Sequence, residues 1–75
     1  MKLYYKIWLI HETEGFSVIM PNLPGCCSQG ETKAEAIKNI KETFKALAEC
    51  YNRRIPWAIC TKSPPKNTIQ LDILI

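Results

Sequence analysis

Side chains able to do chemistry are few in this sequence, and their spacing sets them apart from one another. His11 is the only imidazole, and it stands at the edge of a polar stretch, Glu12-Thr13-Glu14-Gly15. A nucleophile needs a base within hydrogen-bond reach, and neither Cys26, Cys27, Cys50 nor Cys60 has one nearby in the chain. Structural zinc sites present their ligands as short-range pairs; the four cysteines form no C-x-x-C, and His11 is remote from all of them. Cys26 and Cys27 are adjacent, so on a strand they point to opposite faces and read as small packing residues. The carboxylates fall at Glu12, Glu14, Glu31, Glu35, Glu42, Glu49 and Asp72. Glu42 and Glu49 alternate with lysines at ion-pair spacing, which marks a solvated helix face, and Asp72 stands alone. No set of carboxylates converges for metal-assisted hydrolysis. The expectation is a non-catalytic binding protein with no cofactor and no metal.

The elements that must position these groups are legible from periodicity. Residues 3–11 alternate, with Leu3, Tyr5, Ile7 and Leu9 on one face and Tyr4, Lys6, Trp8 and Ile10 on the other. The polar turn at residues 12–15 leads into a second strand over residues 16–20, completing a hairpin. Pro21 and Pro24 remove backbone donors and end that ladder, with Gly25 in the turn. A short third strand at residues 26–28 closes at Gly30. Thr32 followed by Glu35 is a capping box, and Ile37, Ile40, Phe44, Leu47 and Tyr51 then recur at helical spacing. After an irregular stretch, residues 68–75 form a last strand with Ile69, Leu71, Ile73 and Ile75 on its inner side. The fold class is therefore α+β: a three-stranded antiparallel meander, one helix packed on one face, and a fourth strand, in the order β-β-β-α-β. Pro24, Gly25, Gly30, Thr32 and Glu35 are its defining turn and cap residues.

Residues 1–75 read as a single domain. A chain of this size builds a thin core, worth roughly 3–5 kcal/mol, and usually leans on a metal, disulfides or a second subunit. The cysteine spacing argues against the first two. One helix covers one sheet face only, which leaves Tyr4, Trp8, Ile10 and Ile19 together on the other as a candidate self-association surface. The net charge of +3 is spread along the chain, with Arg53–Arg54 its only tight basic pair. That is too sparse for a dedicated nucleic-acid stripe, although Arg53, Arg54 and Trp57 are candidate partner contacts. No apolar run approaches the ~18 residues of a membrane span, and Lys6 breaks the N-terminal apolar stretch, so no signal peptide is read and the expected compartment is the cytoplasm.

The run Gly15-Phe16-Ser17-Val18-Ile19-Met20-Pro21-Asn22-Leu23-Pro24-Gly25-Cys26, followed by Ser28-Gln29-Gly30-Glu31-Thr32 and Glu35-Ala36, resembles the HicB-like antitoxin family. Ile55-Pro56 fits the Ile-Pro that members often carry after the helix. The resemblance implies a partial ribonuclease-H-like fold without the catalytic carboxylates. It also implies a homo-oligomeric protein that binds and neutralises a HicA-like toxin, an mRNA-cleaving ribonuclease. A stand-alone oligomeric module without a toxin, or a small nucleic-acid binder using Arg53, Arg54 and the helix lysines, are the alternatives. Full-length members usually carry a DNA-binding segment after the last strand; no such segment follows within these 75 residues, so operator binding is not expected of them.

Overall fold

The computed structural model describes residues 3–52 and 54–75. Five elements follow in the order β1 (Tyr4–Glu12), β2 (Gly15–Ile19), β3 (Cys27–Gly30), α1 (Lys33–Cys50) and β4 (Thr68–Leu74). The strands form one antiparallel sheet in the order β3-β2-β1-β4. The expected α+β arrangement is thus observed, with strand ends shifted by one or two residues. The hairpin turn is tighter than the polar run suggests, because Glu12 and Gly15 pair across it. Gly15 adopts φ 113° there, a conformation open to glycine.

Helix α1 starts at its Thr32 cap, whose hydroxyl oxygen accepts the Glu35 N–H at 3.1 Å. It ends at Tyr51, and Asn52 turns the chain away in a left-handed conformation at φ 50°. The buried side of α1 is Ala36, Ile40 and Phe44, packed with Ile7, Leu9, Val18, Met20, Leu23, Cys26 and Ile73 into one core. Cys26 is buried while its neighbour Cys27 is exposed, as alternation requires.

The helix packs on β3 and β2. Its width of roughly 10 Å spans about two strands at a spacing near 4.8 Å. Consequently the expected inner face of β4 is only partly covered: Ile73 is 7% exposed, but Ile69 and Leu71 are each 37% exposed. The aromatic group at the other end of this face is closed by the segment after the helix. Trp57 stacks on Tyr5 at 5.5 Å between ring centroids and lies 6.1 Å from Phe44.

Gly30 is constrained differently from a turn glycine. It ends β3 without a positive φ, but a Cβ there would lie 2.5 Å from the Ala36 backbone nitrogen. The first turn of α1 rests directly on this position. Gly25, by contrast, has φ 83° and open space around it.

Candidate functional site

Two surfaces present themselves. The first lies at the hairpin end of the sheet, beside the start of α1. The β1–β2 turn, the end of β3 and the first helical turn meet there around a concavity of about 610 Å³. Glu12, Glu14, Glu31 and Glu35 all line it, together with Ser17 and Asn39. Ser17 donates its hydroxyl to Glu12, and the Asn39 amide donates to the Gln29 carbonyl at 2.8 Å. Sequence spacing does not bring these carboxylates together, since they come from three elements. The signal was the hairpin register: Gly15 faces Glu12, and Phe16 faces Gly30, so the residues flanking both turns converge. Glu35 sits in the first helical turn, where the helix dipole favours a negative charge. Among the described residues, no three His, Cys, Asp or Glu side chains are arranged to hold a metal ion. The concavity is a negatively charged recess open to solvent.

The second surface is the sheet face opposite the helix. Register places Trp8 between Ile19 and Gln70, Ile10 between Ser17 and Thr68, Lys6 beside Asp72 and Tyr4 beside Leu74. Tyr4 is 71% exposed, and Ile10 and Ile19 are half-buried. Trp8 differs from the expectation of an open face, being only 8% exposed, and its indole N–H is buried with no partner among the described residues. Trp8 is thus covered although the helix lies on the other face, and the connection from α1 to β4 begins and ends near opposite ends of β1. The Ala58 N–H bonds the Asn22 carbonyl at 2.9 Å, Cys60 borders a cavity with Lys6, and the Asn67 carbonyl takes the His11 N–H at 3.3 Å on the far side of β1. The connection therefore runs from the Asn22 end of the sheet to the His11 end.

The remaining sequence-derived candidates scatter. Arg54 is exposed, its N–H bonded to the Tyr51 carbonyl, and Arg53 lies outside the described residues. Trp57 is half-exposed, with one ring face committed to Tyr5 and Phe44. His11 is exposed and stacks on Phe16 at 4.8 Å. Burial pushes the Cys26 thiol up to about 11, with Cys27 beside it adding to the shift, so this thiol stays protonated at neutral pH. No described helix is long and apolar enough to cross a membrane.

A family model described as the HicB-like antitoxin of bacterial toxin–antitoxin systems matches residues 5–56, from β1 to the segment after α1. The chain belongs to the HicB-like antitoxin family. This HicB-like chain is also 41% identical over 56 residues to the UPF0150 protein Ta0767 of Thermoplasma acidophilum, covering 69% of the present chain and 81% of that protein. No solved structure matches it. Family membership supports an antitoxin role. Strand β4 lies outside the span that the family model matches.

Proposed function

We propose that this HicB-like protein is a non-catalytic antitoxin that neutralises a HicA-like, mRNA-cleaving toxin by binding it, and that it works as a homo-oligomer. The observation that carries the reading is the acidic recess of Glu12, Glu14, Glu31 and Glu35 in a chain of the antitoxin family. An enzyme that cleaves RNA holds the phosphate backbone with basic side chains. A recess with four carboxylates complements such a surface, although the whole chain carries a net charge of +3. Complementary patches act chiefly by steering encounter and rejecting wrong partners, so local charge matters more than the total. Occupying the toxin's RNA surface would exclude substrate without any chemistry by the antitoxin.

The test is co-expression and binding with a HicA-like toxin encoded beside this protein. Wild type relieves growth arrest, whereas Glu14→Lys combined with Glu31→Lys does not, and its association rate falls at least tenfold at low salt. Both residues are exposed, so the fold tolerates the change. Unaltered neutralisation by the double variant would remove the recess from the binding surface.

Self-association belongs to the same proposal, with Tyr4, Trp8, Ile10 and Ile19 as the sequence-derived interface. Because Trp8 is buried, its substitution reports on folding as well as on assembly, and Tyr4→Glu is the cleaner probe of this face.

A further inference from the structure

We infer that the free edge of β4 pairs with β4 of a second copy of this chain, in antiparallel register about Leu71, so that two sheets become one eight-stranded sheet. The inference rests on the self-association reading above and specifies the seam.

The hydrogen bonds of β4 determine what its outer edge offers. Leu3 and Ile75 exchange both backbone bonds, at 3.0 and 2.9 Å, and are therefore a hydrogen-bonded pair. Antiparallel pairing alternates, so Tyr5–Ile73, Ile7–Leu71 and Leu9–Ile69 are hydrogen-bonded pairs too. The N–H and C=O groups of Thr68, Gln70, Asp72 and Leu74 consequently point away from β1, along an edge that has no neighbouring strand among the described residues. Unpaired edges of this kind template pairing unless they are short, bulged or guarded by lysine or proline. β4 has seven residues and no lysine, proline or glycine. The opposite edge is guarded: β3 has only four residues, and Asn39 of the helix takes the Gln29 carbonyl.

The strand is self-complementary. A two-fold axis at Leu71 sets Gln70 against Asp72 and Thr68 against Leu74 of the second copy, and each of these is a hydrogen-bonded pair that uses the free groups. On the helix side, Ile69 meets Ile73 and Leu71 meets Leu71, which covers the apolar side chains that α1 leaves exposed. Asp72, the one charged side chain of the strand, faces an amide and no like charge. On the other side, Tyr4 beside Leu74 comes next to Thr68 and Ile10 of the second copy, so two of the sequence-derived interface residues flank the seam. A seam of seven residues is about 24 Å long. It buries on the order of 1,000 Å² in total, the low end for a specific interface, so the dimer dissociates on dilution.

The experiment is sedimentation velocity on the full chain over a wide concentration range. Wild type shows a monomer–dimer equilibrium. Gln70→Pro removes a donor from the free edge while leaving the bonds to β1, and raises the dissociation constant at least tenfold with an unchanged far-UV circular dichroism spectrum. Leu71→Lys and Leu71→Glu each give monomers when alone, and the two mixed give a dimer, because the axis places the two side chains opposite each other; this pair decides the matter if Gln70→Pro does not fold. Wild-type dimerisation in all three variants overturns the seam. If Tyr4→Glu alone then yields monomers, self-association stands and runs through the open face. A wild type that is monomeric at every concentration overturns the seam and the oligomer together.

Discussion

Gly30→Ala tests how tightly the helix is seated on the sheet. The added Cβ would lie 2.5 Å from the Ala36 nitrogen and 2.9 Å from both the Ala36 Cα and the Glu35 carbonyl carbon. All three are backbone atoms, so no side chain can rotate away, and α1 must retreat by about 1 Å to reach ordinary contact. Overpacking costs about 1–3 kcal/mol, and contact with backbone that cannot rotate away falls at the upper end of that range. Replacing glycine in a strand returns roughly 0.5–1 kcal/mol of unfolded-state entropy. A net loss of about 2 kcal/mol is a substantial part of the roughly 4–11 kcal/mol expected for 75 residues. With an unfolding entropy near 2.1 cal/mol/K per residue, it lowers Tm by about 12 °C, read by thermal circular dichroism or calorimetry. Gly25→Ala is the control, since nothing lies within 4 Å and only its φ of 83° is strained, at a cost of about 1–2 kcal/mol. Ala36→Gly does not rescue Gly30→Ala, because the clash is with the backbone of residue 36 and not with its methyl group. A Gly30→Ala protein within about 0.5 kcal/mol of wild type, or one restored by Ala36→Gly, would refute the argument.

Three further outcomes follow from the same structure. Thr32→Ala leaves the Glu35 N–H without its cap and destabilises the protein by about 1 kcal/mol in urea unfolding, with Thr32→Ser near wild type. The Cys26 thiol holds its proton up to about 11 when folded, above the ordinary thiol value of about 9.0. The folded state therefore binds more protons than the unfolded one between these values, and stability falls as pH rises through that window, by at most about 1.4 kcal/mol per pH unit from this group; the contribution is fully present below pH 9, and Cys26→Ala lacks this pH dependence. Trp57→Phe leaves a single tryptophan, Trp8, whose emission is blue-shifted and poorly quenched by acrylamide, whereas Trp8→Phe leaves the half-exposed Trp57 and a red-shifted, quenchable spectrum.

The elements were legible because their signals are local. Alternation over residues 3–11, the Thr32–Glu35 cap and the apolar stripe from Ile37 to Tyr51 each depend on neighbours a few positions away, and each corresponds to an observed element. What sequence did not disclose depends on how elements cross. The burial of Trp8 on the face opposite the helix is encoded by no periodicity. The meeting of Glu12 and Glu14 with Glu31 and Glu35 needs the β2–β3 register as well as the hairpin, so the spacing of the carboxylates along the chain showed them apart. Gly30 was recognisable as a special position, but as a strand end; only the path of α1 shows that it is a contact surface for the helix backbone.

The same crossing geometry links the fold to assembly. One helix can cover about two of four strands, and α1 is held to the β3–β2 side by the seat at Gly30 and the Asn39 bond to Gln29. Shifting it toward β4 to cover Ile69 and Leu71 would uncover Val18 and Cys26, which are now fully buried. The apolar strip on β4 is therefore a consequence of the helix position and cannot be relieved by rearrangement within the chain. A surface of that origin is satisfied by adding a strand beyond β4. Polar substitution of Ile69 and Leu71 should accordingly cost the isolated fold little, while abolishing association: Ile69→Thr with Leu71→Thr is expected to change monomer stability by less than about 1.5 kcal/mol, since each side chain is more than one-third exposed. A large loss of monomer stability would instead mean that the strip is already covered within the chain.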